Sequence, residues 1–306
     1  MTLTPQQKKA LNSDGFLILP DFFSPAEISP VCTWIDTMVD DLSRHLVSKG
    51  LIKETYEDKP FRERLIWIEK EYPQASVCIH SLGVFGPALL ALATKSKLIR
   101  LVQSILGPDI GLHPVWNIRA KTPENPLATV PWHQDTAYLL PDSEKTPQIT
   151  TWIPLVNIRR ENGPLVFVKG GHRSGHVFPH RPEHLKGDPQ SWYLYIDEKD
   201  LPTGERPLCQ VQAGGLILFN QLIPHCCLEN VSDHIRWSLD LRWQNPRLNN
   251  GMGHHKPCLP LSGNTDHKAP SNWKGWALQK RPGQSPEGYS STLSGPWLKR
   301  WDSAPG

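Results

Sequence analysis

Apolar residues recur at two different periods along this chain, and the change of period divides it. Up to about residue 107 the helical period of 3.6 dominates, and beyond it the spacing shortens toward the period of 2 expected of strands. Thr4-Pro5 opens a first helix, because a Thr oxygen can accept from the unpaired amides of the first turn and Pro suits that turn. Asn12-Ser13-Asp14-Gly15 ends it, and Phe16-Leu17-Ile18-Leu19 reads as a short buried strand. Ser24-Pro25-Ala26-Glu27 has capping-box spacing. Ile28, Val31, Ile35, Met38, Val39, Leu42 and Leu46 then mark one face of a long amphipathic helix. Residues 50–80 are charge-rich and show no clear period. Gly86-Pro87 starts another helix through Leu89, Leu92, Ile99, Val102 and Leu106, closed by Gly107-Pro108.

Strand-like runs follow at Leu112–Lys121, Ile149–Leu155, Pro164–Val168, Leu208–Val211 and Leu216–Phe219, rich in β-branched and aromatic residues. Arg160-Glu161-Asn162-Gly163, Gly170-Gly171 and Gly214-Gly215 supply turns, and 178–206 is a long polar insertion. Short β runs punctuated in this way predict a mainly β protein with flanking helices, folded as a double-stranded β-helix, a cupin-like distorted jelly roll. The expected organisation is a single domain over 1–245, helical to about 107 and a barrel from about 108. Beyond Asn245 the chain becomes rich in Pro, Gly, Ser and Asn, yet Trp273, Trp276, Trp297 and Trp301 are too many for a disordered tail. Residues 246–306 are therefore expected to form an irregular segment docked on the barrel, over the mouth of its cavity.

Composition narrows the partners. The net charge of +3 comes without long runs of one sign, so neither nucleic acid nor a membrane surface is an expected partner. No apolar run approaches the roughly 20 residues of a membrane span, and the first residues lack the apolar core of a secretory signal. Six cysteines without CxxC spacing fit a reduced protein, expected in the cytoplasm as a monomer or weak homo-oligomer.

Chemistry concentrates in Val130-Pro131-Trp132-His133-Gln134-Asp135-Thr136-Ala137-Tyr138. In an extended strand His133 and Asp135 project to one face and Gln134 to the other. An imidazole and a carboxylate on one face are two legs of the two-histidine, one-carboxylate arrangement that holds Fe(II) with open positions. His225, after the apolar run Leu216-Ile217-Leu218-Phe219, is the candidate third leg. Arg236 stands eleven residues beyond His225 (236 − 225), and Arg242 six further on lies on the same face by alternation. Cys226 and Cys227 read as buried thiols. His176, His180 and His184 recur every four residues, but Pro179 and Pro182 argue against the helix that would make them a metal face, and His254-His255 read as surface residues.

The HxD pair, the distant His225 and Arg236 at this spacing resemble the phytanoyl-CoA dioxygenase family of Fe(II)/2-oxoglutarate oxygenases, from about Thr4 to about Asn245. The resemblance implies oxidative decarboxylation of 2-oxoglutarate to succinate and CO2, with O2 as oxidant, coupled to hydroxylation of a substrate, with ascorbate as an accessory reductant. It implies His133, Asp135 and His225 as iron ligands and Arg236 as the partner of the far carboxylate of 2-oxoglutarate, where a planar, permanently charged donor is suited. Arg242 is the competitor for that role. Trp152 takes the position of a Trp beside the co-substrate. The family's Ser or Thr two residues after the distal His is Cys227 here, so Ser238 becomes the candidate second contact. Gln134, Asn117 and Lys121 are further candidates for cofactor contact. A small organic molecule or an acyl group is the expected substrate; Arg159, Arg160 and Lys169 are candidate contacts for a CoA thioester. Two other readings stay open: a catalytically silent ligand-binding barrel, and a zinc hydrolase using the same three ligands.

Overall fold

In the computed structural model, residues 2–82, 84–182, 193–253, 257–261, 273–277, 289, 300 and 301 are described. Helix α1 (Pro5–Asp14) begins with reciprocal bonds between Thr4 and Gln7 and ends at Gly15, whose φ of 84° a side chain would strain. Strand β1 (Phe16–Leu19) leads to α2 (Pro25–Ser48), where the Ser24 amide donates to Glu27 Oε2 at 2.9 Å. The seven apolar positions that mark one face of α2 in the sequence are all buried. The charge-rich stretch holds two short helices, α3 (Arg64–Glu71) and α4 (Ala75–Leu82). The single helix expected after Gly86-Pro87 is two, α5 (Pro87–Ala93) and α6 (Ser96–Leu106). They part at Lys95, whose extended backbone lets its ammonium reach Glu27 Oε1 at 3.3 Å, beside Lys97 on Oε2 at 2.5 Å.

The β part follows: β2 (Gly111–Lys121), β3 (Gln148–Pro154), β4 (Leu165–Phe167), β5 (Arg181–Pro182), β6 (Leu194–Tyr195), β7 (Leu208–Cys209), β8 (Leu216–Asn220), β9 (His225–Cys227), β10 (Arg236–Gln244) and β11 (Leu259–Pro260). One antiparallel sheet has the order β1-β8-β3-β10-β2-β11, a second has β7-β4-β9, and β5 pairs with β6. Long β10 is the spine of the larger sheet, hydrogen-bonded to β2 on one side and β3 on the other. Helix α4 packs on β2 and α6 on β3, so the helices cover the outer face of that sheet. This is the antiparallel jelly roll with flanking helices that the sequence predicts.

Of the C-terminal segment, α7 (Trp273–Ala277) buries Trp276 against Phe85 at a ring separation of 5.2 Å, and its indole N–H donates to Pro257 O at 2.8 Å. Trp297, His184 and His254-His255 lie outside the described residues. Among the described residues no single helix is long and apolar enough to cross a membrane, and all six cysteines are free thiols.

Candidate metal centre and its cavity

His133 and His225 are brought together by the backbone. Each donates its amide to the other's carbonyl at 2.9 Å, and their rings lie 4.1 Å apart. Gln134 is extended (φ −115°, ψ 137°), which returns Asp135 to the face of His133. The strand expected through this region goes no further: Asp135–Tyr138 is a 3₁₀ turn, and His133 makes only an isolated bridge. One ligand atom from each of His133, Asp135 and His225 lies within 4.8 Å of the others, with His133 Nε2 at 3.9 Å from Asp135 Oδ1.

The tautomers follow from the partners. His133 Nδ1 faces Pro131 O at 2.8 Å and His225 Nδ1 faces Ile223 O at 3.0 Å, so each Nδ1 must donate and each Nε2 keeps its lone pair for a metal. Burial pushes both imidazoles below their ordinary range, keeping them neutral. Burial alone would raise Asp135. The Arg242 guanidinium first, with the Thr150 hydroxyl, overcomes it and holds the carboxyl at about 2. Thr150 Oγ1 donates to Oδ2 at 2.8 Å and Arg242 Nη2 donates to Oδ1. Two neutral nitrogens and one carboxylate oxygen, buried and convergent, suit Fe(II) with coordination positions left open.

These three residues line a cavity with about 730 Å³ of empty space, its open mouth included. Arg236 lies in its wall, 3 % exposed; its Nη1 donates to Ser238 Oγ at 2.7 Å and its guanidinium sits 5.4 Å from the Trp152 ring. No carboxylate among the described residues lies within ion-pair distance of the Arg236 guanidinium, so this buried positive charge in the cavity wall suits an anion. Lys121 also lines the wall; its ammonium donates to Ala128 O and Thr129 Oγ1 at 2.9 Å and lies 3.3 Å from Cys227 Sγ. Gly163 makes room for it: a Cβ there would meet Lys121 Cε at 2.5 Å.

Two sequence candidates face elsewhere. Gln134 is wholly buried behind the ligands, its amide group engaged by Phe178 N at 2.7 Å, His176 O at 3.1 Å and Leu222 O at 2.7 Å, so it anchors the ligand strand. Asn117 donates to Asp240 Oδ2 at 3.1 Å, as does Arg119 Nε, and so orients that carboxylate. Arg242 is engaged by Asp135 rather than placed among the residues lining the cavity. Sequence reasoning missed Thr150, Asp240 and the role of His180, whose Nε2 accepts from the Gln134 amide at 3.0 Å. Asp240 had a signal, being two residues from both Ser238 and Arg242 on one strand face; Thr150 and His180 had none.

Comparison with known proteins agrees with this geometry. The family model for phytanoyl-CoA dioxygenase matches residues 11–238. A rat protein called phytanoyl-CoA dioxygenase domain-containing protein 1 (Rattus norvegicus) is 24 % identical over 262 residues, covering 76 % of this chain and 87 % of its own. Among solved structures, the non-haem monooxygenase ThoJ superposes with a TM-score of 0.59 at 18 % identity, covering 86 % of this chain and 85 % of that one. EctD from S. alaskensis, solved with 2-oxoglutarate and 5-hydroxyectoine, gives 0.51 at 16 % identity, covering 80 % and 77 %. At these identities the structural matches establish the shared fold.

Proposed function

Since the chain belongs to the phytanoyl-CoA dioxygenase family and is a non-haem Fe(II)- and 2-oxoglutarate-dependent dioxygenase, we propose that its reaction is the hydroxylation, or a related oxidation, of a small organic molecule or acyl group. The observation that carries this is a complete His133, Asp135 and His225 set in the same cavity as Arg236, which no carboxylate neutralises among the described residues.

In this reading His133, Asp135 and His225 hold the iron through Nε2, a carboxylate oxygen and Nε2. Arg236, held by Ser238, binds the far carboxylate of 2-oxoglutarate, Trp152 flanks it, and Lys121 adds a second positive charge. Bound iron and 2-oxoglutarate together supply oxidising power from O2, with succinate and CO2 as the co-products. The protein's own part is to keep both imidazoles neutral and Asp135 ionised, through the carbonyls behind the rings and Arg242 behind the carboxylate. Asp135 would also put a negative charge beside the metal, which disfavours a halide there. Arg159, Arg160 and Lys169 are not among the residues lining the cavity, and Lys169 pairs with Glu205 at 3.3 Å, which favours a compact substrate over contacts of these three with a CoA tail.

The test is anaerobic reconstitution with Fe(II) or Zn(II), then exposure to O2 and 2-oxoglutarate with a metabolite panel, read as succinate and product mass. Succinate with Fe(II) alone and a product gaining one oxygen, or losing two hydrogens, is the expected result. A chlorinated main product in chloride buffer, turnover with Zn(II), or no succinate at all refutes the reading.

A further inference from the structure

Asp135 is the only one of the three proposed ligands that opens a 3₁₀ turn, and that turn is tied to the far end of the chain. Trp301 Nε1 donates to Ala137 O at 3.0 Å. Arg300 Nη1 donates to Thr136 O at 3.2 Å and to Leu139 O at 2.5 Å, and its Nη2 pairs with Glu144 just beyond the turn. Two carbonyls of the turn, Thr136 and Ala137, and that of Leu139 just after it thus accept from two residues about 160 positions away in sequence. The Trp301 ring also lies 5.1 Å from the ring of His180. That imidazole accepts from the Gln134 amide, in the peptide that follows His133, at 3.0 Å. Its own Nδ1 donates to Phe178 O at 2.7 Å, which fixes Nε2 as the acceptor. The ligand-bearing segment is therefore gripped on both sides of Asp135: through the Gln134 amide in front and through the turn carbonyls behind.

A 3₁₀ turn has poorer hydrogen-bond geometry than an α-helix and does not place itself rigidly. A metal ligand set, in contrast, must be held to within about 0.5 Å to retain its ion. We propose that Arg300 and Trp301 are positioning residues for the metal centre: their docking sets the turn that aims the Asp135 carboxylate at the point shared with His133 and His225. The proposal rests on the reading of these three residues as the metal ligands. Neither side chain touches the metal site itself, so their effect is transmitted through the backbone and through His180.

Full-length Arg300→Ala, Trp301→Ala and Trp301→Phe test it. Each is titrated anaerobically with Fe(II), and with Co(II), whose visible absorption reports ligand number and geometry; unfolding of the metal-free protein is followed in parallel. Groups that orient a metal ligand typically contribute 10- to 100-fold in affinity. Acting one peptide further out, these two are expected to weaken Fe(II) binding about 10-fold on truncation to Ala. The Co(II) spectrum changes, the metal-free variants remain folded in the titration buffer, and succinate formation falls at limiting Fe(II) but recovers at saturating Fe(II). Trp301→Phe, which keeps a ring beside His180 but loses the indole N–H, falls between wild type and Trp301→Ala. Unchanged metal affinity and Co(II) spectra in all three variants overturn the proposal. So does a loss of turnover that saturating Fe(II) fails to restore. A wild-type protein that binds metal but consumes no 2-oxoglutarate refutes the functional reading alone, and the metal titrations still decide the positioning role.

Discussion

Replacing Arg242 with Met tests the electrostatics of the metal centre without touching a ligand. Arg242 and Asp135 are 5 % and 3 % exposed, and Arg242 Nη2 donates to Asp135 Oδ1. Removing one partner of a buried pair costs about 3–5 kcal/mol, because the other charge is left uncompensated. Part of this is offset, since Arg242 Nε and Nη1 are themselves buried without partners among the described residues, and the variant removes them. Each buried unpaired donor costs about 1–3 kcal/mol; at the low value for each of the two, about 2 kcal/mol is recovered and the net loss for the metal-free protein is about 1–3 kcal/mol.

The dependence on pH separates this cause from lost packing. In the wild type the carboxyl of Asp135 is held at about 2, below its unfolded value, so its contribution is complete above pH 4 and is lost only as pH falls toward 2. Without Arg242, burial dominates and the carboxyl rises above its unfolded value, reversing the sign: the penalty is greatest at neutral pH and relaxes as the group takes up a proton. The difference between variant and wild type should therefore shrink from pH 7 to pH 5. A divalent metal replaces the missing positive charge, so Co(II) should stabilise the variant more than the wild type. The assay is urea unfolding followed by tryptophan fluorescence at both pH values, with and without Co(II). A metal-free loss under about 0.5 kcal/mol, or a larger loss indifferent to pH and metal, refutes the argument.

Three further outcomes are expected. His133→Ala or His225→Ala should abolish Fe(II) retention and succinate formation while the circular dichroism spectrum stays near wild type; near-normal succinate from either variant contradicts the ligand assignment. Arg236→Ala should raise the half-saturation for 2-oxoglutarate by about 30-fold to several thousand-fold, the equivalent of about 2–5 kcal/mol for an unpaired buried carboxylate, with Fe(II) affinity little changed; an unchanged half-saturation eliminates the role. Burial holds His113 at about 3, since its Nε2 donates to Asn250 O at 2.8 Å while its Nδ1 accepts the Val115 amide at 3.0 Å and has no place for a proton. The unfolded chain takes up that proton near pH 6.5, so stability is lost as pH falls from 6.5 toward 3, by about 1.4 kcal/mol at pH 5.5; His113→Gln should flatten that part of the stability profile, and an identical slope in the variant rules the account out.

What the sequence discloses follows from how local each feature is. The stripe on α2 is legible because its period and its capping box belong to one element, and all seven positions are buried. Helices α3 and α4 escape because each has only eight residues, and the charged face of α3 includes a buried Arg64, paired with Asp40 at 2.9 Å, that reads as solvent-facing. The break between α5 and α6 hides because Leu92 and Ile99 are seven residues apart, two helical turns, whether or not the chain is continuous. The three proposed metal ligands follow from residue type and spacing, and the structure gathers them around one point. The groups behind them are not legible, because Thr150, His180 and Arg300 reach the ligand segment from distant parts of the chain.

Strand β10 shows where the limit lies. Its nine residues are all buried, yet they alternate: Arg236, Ser238, Asp240 and Arg242 on one side, Trp237, Leu239, Leu241 and Trp243 on the other. In a sheet with one solvated face such alternation would place the polar residues outside. Here helices cover the apolar face and the polar face looks into the barrel, so the same pattern marks the wall of a cavity. Period and residue type are sufficient to identify the inward charges, but not to assign them, since Arg236 and Arg242 share that face. The assignment depends on which inward charge is already neutralised by another, and that is decided by the turn at Asp135, whose carboxylate pairs with Arg242 and leaves Arg236 without a carboxylate partner among the described residues. An interaction between two interior side chains from different elements has no local signature, so the choice between two arginines six residues apart becomes physical only once the chain has folded.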